Sequence, residues 1–214
     1  MKLCLVIYEK KLDALLRNID PHTLTEVRLD FSNFTDDEIG IIFRHSKNLI
    51  ATFRENNRTP FEQRIQSLKV AIENGAAYVD IDIDSPKESF EQLLELAKKH
   101  NCKTIVSHHN YSETPDIKEL TKTCRQIQSY TPDIIKIITK TDSISDLKNL
   151  MALYAFYDKI IALGIGKLGG LSRVIALAYD APFIFTFSKS KYKVVTGQIS
   201  QKVLEKLGRI LKGV

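Results

Sequence analysis

The sequence predicts an α/β fold, a (β/α)8 TIM barrel in a single domain, on three observations. Short β-branched runs alternate with amphipathic segments from end to end of the 214 residues. Eight such pairs, of roughly 27 residues each, match the repeating unit of a parallel barrel ringed by helices. The composition, 43% apolar and 27% charged, is that of an ordinary globular domain, so we expect one domain over residues 1–214.

Each predicted strand is a run of branched aliphatic, threonine or aromatic residues. The eight runs lie near residues 2–8, 24–30, 49–54, 77–83, 103–108, 133–138, 159–163 and 183–187. The first run is followed at once by Glu9, Lys10 and Lys11, which favours a strand over a signal peptide. No apolar stretch approaches the ~20 residues that cross a bilayer, so we expect no membrane partner.

Helical periodicity follows every run, near residues 9–18, 35–45, 60–74, 86–100, 116–128, 143–155, 170–179 and 197–212. Start signals include Thr35, Pro60 and Ser143, and Gly75 is a stop signal. An open doubly wound sheet is the competing topology. Its dinucleotide-binding form needs a glycine fingerprint after the first strand, and residues 7–10 contain no glycine.

The charges and cysteines limit the partners and the compartment. The net charge of +5 suggests nucleic acid, but the basic residues are scattered on helix faces beside acids, so we expect no nucleic-acid partner. A mild positive excess also suits a small anionic substrate, or serves solubility alone. Cys4, Cys102 and Cys124 have neither metal-site spacing nor a disulfide pattern, which predicts a cytoplasmic protein.

Lys136 is the most informative residue, because it lies inside the apolar run from Ile134 to Ile138. An ammonium group in a strand buried on both faces is too costly to be an accident of packing, so it is either paired or chemically employed. A buried lysine that is uncharged part of the time can attack a carbonyl and form an imine. Lys136 is therefore a candidate nucleophile.

Polar side chains follow the predicted strands at their carboxyl ends, where barrel enzymes hold their active sites. They are Glu26, Arg28 and Asp30 on strand two, Arg54 after strand three, Asp80, Asp82 and Asp84 on strand four, and His108 and His109 after strand five. Alternation predicts that each trio shares one side of its strand. The periodicity does not choose between His108 and His109.

Two other interpretations of these residues stay open at this point. One is a purely stabilising ion network at the barrel mouth. The other is a hard divalent metal ion. Its ligands would come from Asp80, Asp82, Asp84, His108 and His109. Against the metal, Lys136, Arg28 and Arg54 already neutralise these acids, so we expect no metal.

Short motifs at these positions carry a resemblance that spans almost the whole chain. They are Glu26-Val27-Arg28-Leu29-Asp30, Thr52-Phe53-Arg54, Val79-Asp80-Ile81-Asp82, Ser107-His108-His109-Asn110-Tyr111, Thr114-Pro115, Asp133-Ile134-Ile135-Lys136-Ile137, Gly169-Gly170-Leu171-Ser172-Arg173, Thr186-Phe187 and Gly197-Gln198. Each is weak alone. Together and in this order, they resemble the type I 3-dehydroquinate dehydratases, (β/α)8 enzymes of the shikimate pathway of aromatic amino acid biosynthesis.

The resemblance implies a lyase that needs no cofactor and converts 3-dehydroquinate to 3-dehydroshikimate and water by syn elimination through a Schiff base. It implies that Lys136 forms the imine and that His109 is the general acid and base, which settles the choice between the two histidines. It also implies that Arg173 binds the substrate carboxylate. The positions implied to hold the hydroxyls or to order the closing loop are Glu26, Arg28, Arg54 and Gln198.

Several positions depart from the family pattern. Asp82 stands where the carboxylate partner of the histidine is usually glutamate, so it is one methylene shorter. The loop after Arg54 has Glu-Asn-Asn-Arg-Thr-Pro over residues 55–60 in place of the usual Glu-Gly-Gly. Val194 replaces a serine, and Ile165 occupies a site often held by methionine.

The sequence is also compatible with two alternative functions and with an assembly. An aldolase-like barrel would use the same imine, with a phosphate site in the glycine-rich residues 164–170. A non-catalytic binding module is suggested by Asp82 and Val194.

The lysine-rich segment Ser188 to Gly197 predicts a mobile lid over the mouth. Apolar helix positions predict either a homodimer face or core contacts, and they are Ile41, Ile42, Tyr154 and Phe156.

Overall fold

The computed structural model describes residues 2–56 and 58–211. Eight parallel strands alternate with eight α-helices in this part of the chain, and the fold class is the predicted (β/α)8 barrel. Two compact units can be described. We call Leu5–Ile105 the amino-terminal unit, and residues 2–4 with the chain from Val106 onward the carboxy-terminal unit. The single domain over residues 1–214 stays a prediction, and residues 1, 57 and 212–214 lie outside the described residues.

Every predicted strand and helix is present. The strands are β1 Leu3–Ile7, β2 Thr25–Arg28, β3 Leu49–Thr52, β4 Tyr78–Asp82, β5 Lys103–Asn110, β6 Ile134–Lys140, β7 Ile160–Ile165 and β8 Ile184–Thr186. The helices are α1 Leu12–Leu16, α2 Asp36–His45, α3 Phe61–Glu73, α4 Lys87–Lys99, α5 Ile117–Gln128, α6 Ile144–Ala152, α7 Gly169–Ala178 and α8 Gln201–Leu211. Short 3-10 helices lie at Leu29–Phe31, Leu153–Ala155 and Ser190–Tyr192. Each of these helices is too short or too polar to cross a bilayer.

In the amino-terminal unit, strands β1 to β4 pair in parallel and in chain order. The register places Arg28 opposite Thr52, and Thr52 opposite Asp80. These three residues therefore form one row, at the last residues of β2 and β3 and the middle residue of β4. β3 is buried along its whole length, as expected of a strand covered on both faces.

In the carboxy-terminal unit, β6 pairs in parallel with β7, and Lys136 lies opposite Ile161. The first six residues of β6 are all buried, Lys136 included. β8 lies beside the start of β1, because the amide of Ile184 donates to the carbonyl of Lys2 at 3.1 Å. The predicted buried setting of Lys136 is confirmed.

Helix signals in the sequence are largely confirmed. Thr35 and Ser143 each form a capping box at the start of a helix. Gly75 ends α3 with a φ of 99°, a left-handed conformation that favours glycine. Pro60 precedes the first helical residue instead of occupying it.

Some predicted boundaries are wrong. β2 ends at Arg28, and Asp30 lies in the 3-10 helix that follows, so alternation along a strand does not place it. Asp84 lies beyond the end of β4 and is exposed, because the carboxylate of Asp82 accepts a bond from the Asp84 amide and turns the chain. α8 begins at Gln201, so Gln198 lies before the helix and not in it.

The four apolar helix positions divide into two kinds. Ile42 is fully buried, and the hydroxyl of Tyr154 donates to the carbonyl of Ala162 at 3.0 Å. These two make core contacts. Ile41 is 42% exposed and Phe156 is 65% exposed, so both are available at the surface.

Candidate active site

In the amino-terminal unit, the ends of β3 and β4 hold an ion network around Arg54. Its guanidinium donates to Asp80, and its Nη1 lies 3.5 Å from Oδ2 of Asp82. Burial alone would lower the pKa of Arg54, but the charges of Asp80 and Asp82 outweigh it and raise this pKa. Arg54 therefore stays positively charged, beside a carboxylate of Asp80 that is shielded from water.

Glu26 belongs to the same network. Its side chain is buried, and its Oε1 accepts a hydrogen bond from the Thr52 hydroxyl at 2.9 Å. The negative charge of Glu26 is a further cause of the raised pKa of Arg54. The network thus fixes the position of a buried carboxylate within β2.

Arg28 is held by its own neighbours in sequence. Its Nε and Nη2 donate to the two oxygens of Asp30 at 2.8 and 2.6 Å. Its guanidinium carbon lies 4.8 Å from the centroid of the Phe31 ring. Burial lowers the pKa of Arg28, but the bond to Asp30 outweighs it, so the pKa is raised. The short 3-10 helix therefore brings Asp30 to Arg28.

In the carboxy-terminal unit, β5 extends through Asn110 and includes both histidines. His108 and His109 are each half-buried and point to opposite faces of the strand. The ring of His109 stacks on that of Tyr111, with centroids 5.8 Å apart. Oδ1 of Asn110 accepts bonds from the amides of residues 112 and 113, so the turn after the strand is fixed.

Lys136 lies in β6 with only 5% of its surface exposed. Its Nζ is 4.0 Å from the centroid of the Phe185 ring in β8. The Phe185 ring packs edge-to-face against Phe183, with centroids 5.3 Å apart. Phe185 carries no signal of this contact in the sequence, because it is an apolar residue in an apolar strand.

Arg173 in α7 is 2% exposed, and within the described residues its hydrogen bonds go to backbone carbonyls alone. Its Nη1 lies 2.8 Å from the oxygens of Gly164 and Gly169 and 3.1 Å from that of Gly197. Its Nε is buried with no partner among these residues. Burial lowers the pKa of Arg173 to about 10. Arg173 is thus a buried cation with no carboxylate beside it among the described residues of this unit.

The segment Ser188 to Gly197 is anchored at two points. Tyr192 is 1% exposed, although the lysines around it face solvent. At the other end, Oε1 of Gln198 accepts a bond from the amide of Val194 at 2.7 Å. The expected lid is therefore anchored by the buried ring of Tyr192, and Gln198 fixes the turn at its carboxyl-terminal end.

The glycine-rich residues 164–170 lend little support to a phosphate site. Four consecutive amides are already bonded at 2.8 to 3.2 Å: Gly166 to the carbonyl of Thr196, Lys167 to the carboxylate of Asp142, Leu168 to the carbonyl of Thr141, and Gly169 to that of Gly166. A phosphate cradle needs such amides to be available. The arrangement therefore disfavours the aldolase-like alternative.

The candidate metal ligands are not gathered. Among the described residues, no three His, Cys, Asp or Glu side chains are placed to hold one ion. Asp80 and Asp82 face Arg54 instead, and Asp84 is exposed in the turn.

Comparison with known protein families shows which family the chain belongs to. A family model described as type I 3-dehydroquinase matches residues 3–213, nearly the whole chain. The chain belongs to the type I 3-dehydroquinase family.

Relatives within the type I 3-dehydroquinase family cover most of the chain. A 3-dehydroquinate dehydratase of Thermococcus onnurineus is 32% identical over 189 residues, which are 86% of this chain and 85% of the relative. One from Methanococcus maripaludis strain C5 is 35% identical over 158 residues, 71% of this chain and 69% of the relative. The family's reaction is therefore that of this chain: it is a hydro-lyase of the 3-dehydroquinate dehydratase class.

The fold agrees with that of a solved type I 3-dehydroquinate dehydratase. The enzyme of Clostridium difficile, solved with covalently modified comenic acid, superposes with a TM-score of 0.86 at 20% identity. The match covers 100% of this chain and 93% of the other. At this identity the likeness shows the shared barrel and nothing finer.

Proposed function

We propose that the chain removes water from 3-dehydroquinate through an imine on Lys136. The observation that carries this proposal is an amine 5% exposed in the middle of a buried strand, within a family of dehydratases. Among the described lysines, Lys136 alone is buried. A lysine amine held away from solvent in a barrel strand can attack a ketone without competition from bulk water for the bound substrate.

The chemistry requires an electron sink beside a weakly acidic C–H bond. The amine of Lys136 attacks the ketone, water leaves, and the protonated imine makes the proton at C2 removable. His109 takes that proton to give an enamine, then returns a proton to the C1 hydroxyl, which departs as water from the same face. Hydrolysis releases 3-dehydroshikimate and the free amine. In this scheme the iminium is the electron sink, so we propose that no metal or organic cofactor takes part.

Arg173 is proposed to bind the carboxylate of the substrate. Its guanidinium is buried, its pKa is lowered by that burial, and its hydrogen bonds to protein go only to backbone carbonyls in the described residues. Burying a cation without an anionic partner is costly. A bound carboxylate would supply that partner, which makes Arg173 a selective site for an acid.

Glu26, Arg28 and Arg54 are proposed to hold the substrate hydroxyls. Each is fixed by a neighbour within the amino-terminal unit: Glu26 by Thr52, Arg28 by Asp30, and Arg54 by Asp80. A fixed polar group loses little entropy when it binds a ligand. Asp82 is proposed to orient His109, and Gln198 to hold the closing loop.

A pair of lysines on one strand tests the proposal. Lys136→Met should abolish formation of 3-dehydroshikimate from 3-dehydroquinate, whereas Lys140→Met should retain wild-type turnover. Lys140 ends the same strand, and its side chain is half-exposed. Its Nζ lies 3.7 Å from Oδ2 of Asp142, an ion pair that adds little to the free energy of unfolding when solvent reaches it. Turnover by the Lys136→Met variant would refute the assignment.

We also propose that the enzyme works in the cytoplasm as a homodimer. The three cysteines are buried and none of them is in a disulfide, as suits a reducing compartment. Ile41 and Phe156 are large apolar side chains at the surface, which a second copy could cover. Sedimentation should give a dimer that Ile41→Asp or Phe156→Asp weakens; a monomeric wild type would end this part of the proposal.

A further inference from the structure

The nitrogen of Lys136 lies over the face of an aromatic ring. Nζ is 4.0 Å from the centroid of Phe185, and both side chains are 5% exposed. The two residues belong to β6 and β8, and alternate strands of a (β/α)8 barrel contribute side chains to the same interior layer. The contact is therefore built into the fold of the carboxy-terminal unit.

The geometry is that of a cation–π contact. A ring face carries partial negative charge, which attracts an ammonium and has no such effect on a neutral amine. The attraction is stronger when water is excluded, as it is around these two buried side chains. Phe183 packs edge-to-face against Phe185, 1% exposed, and so fixes the plane of the ring.

We propose that Phe185 is a specificity-determining residue that holds the nitrogen of Lys136 in place through the attraction between its ring face and an ammonium. An ammonium has no free electron pair, so it does not attack carbonyl compounds that merely diffuse into the barrel. When the substrate is bound, the proton on Nζ passes to water and the neutral amine adds to the ketone. Phe185 acts through Lys136 and is a positioning residue. Its effect on the reactivity of the amine follows from the contact itself, whereas its value to the enzyme rests on the proposed function.

The test measures how readily the amine of Lys136 reacts with a reagent that needs no active site. The protein is treated with a small acetylating reagent at fixed pH, and acetylation of Lys136 is compared with that of Lys140 in the same digest. Lys140 lies on the same strand, so the ratio of the two rates corrects for reagent and time. This readout does not depend on whether the chain dehydrates 3-dehydroquinate.

Replacing Phe185 by mono-, di- and trifluorinated phenylalanine weakens the ring face with little change in size. We expect the Lys136 to Lys140 ratio to rise stepwise, by roughly tenfold over the series. The same series at Phe183 is the matched control, and its ratio should stay within about twofold, because that ring does not lie beneath the nitrogen. Phe185→Leu should raise the ratio at least as much as the trifluorinated ring.

Two results would overturn the proposal. One is a constant ratio across the Phe185 series while the melting temperature is unchanged, because the ring would then have no electrostatic effect. The other is an equal rise in both series, which would indicate loosened packing. Neither result bears on the proposed dehydration, which the Lys136→Met variant tests separately.

Discussion

Gly169 and Gly197 lie with their backbones in contact. A Cβ atom built on Gly169 would lie 3.0 Å from the Cα of Gly197 and 2.7 Å from the carbonyl oxygen of Gly164. A Cβ on Gly197 would lie 2.8 Å from the Cα of Gly169, at a φ of 92°. The carbonyls of these three glycines are the ones that Arg173 binds, so their close approach places that guanidinium.

Gly169→Ala should weaken both folding and substrate binding. The added methyl group meets backbone atoms that cannot move aside, so we expect a loss of about 1–3 kcal/mol in the free energy of unfolding. The KM for 3-dehydroquinate should rise, because the carbonyls that hold Arg173 are displaced. Urea denaturation and steady-state kinetics measure the two effects.

The adjacent glycine is the matched control for that variant. A Cβ on Gly170 would make only ordinary contacts, the nearest at 3.6 Å from Ile199 Cδ1. Gly170→Ala should therefore be neutral or stabilise the protein by up to about 1 kcal/mol, as alanine does in a helix. Equal effects of the two variants would show that the glycine contact has no special role.

Arg173→Lys should raise KM more than it lowers kcat. An ammonium is a single point charge and cannot both bond three carbonyls and face a carboxylate as a planar guanidinium does. We expect KM to rise by roughly ten- to a hundredfold, the worth of a hydrogen bond to a charged group. Arg209→Lys, on the exposed face of α8, should match the wild type. An unchanged KM at position 173 would remove Arg173 from the substrate site.

Asp82→Glu should retain turnover. The carboxylate lies at the end of β4, 3.5 Å from Arg54, and the longer side chain restores the residue type usual in the family. The bond from the Asp84 amide would be strained, so a small loss of stability is expected. Asp82→Asn keeps that turn but removes the charge, and we expect kcat to fall. A collapse of kcat in Asp82→Glu would show a site rebuilt around aspartate.

Stability should fall at high pH partly through Cys124. Burial raises the pKa of this thiol from 9.0 to about 12. The unfolded chain loses the proton near pH 9 while the folded chain keeps it, so the contribution is complete below pH 9 and is lost between pH 9 and 12. Urea denaturation should show a steeper loss from pH 9 to 11 in the wild type than in Cys124→Ala. Parallel curves would contradict this account.

The order of strands and helices could be predicted because it depends on local pattern. The buried run around Lys136 and the capping boxes at Thr35 and Ser143 are signals within a few residues. The ends of elements depend on side chains that bond to the backbone. Asp82 turns the chain after β4, and Gln198 fixes the turn before α8, and neither bond can be inferred from periodicity.

The candidate site was only partly predictable for a similar reason. The charged residues at strand ends stand out from their apolar neighbours. Phe185 does not, because 48 residues, from 137 to 184, lie between it and Lys136 in the sequence. The backbone contact of Gly169 with Gly197 also depends on tertiary packing, which composition does not reveal.

Trapping with borohydride tests the central claim most directly. The protein is incubated with 3-dehydroquinate and borohydride, digested, and each lysine-containing peptide is weighed. We predict one ligand-sized adduct, on the peptide that contains Lys136, and its absence from the Lys136→Met variant. Turnover with no adduct, or an adduct on another lysine, would contradict the account.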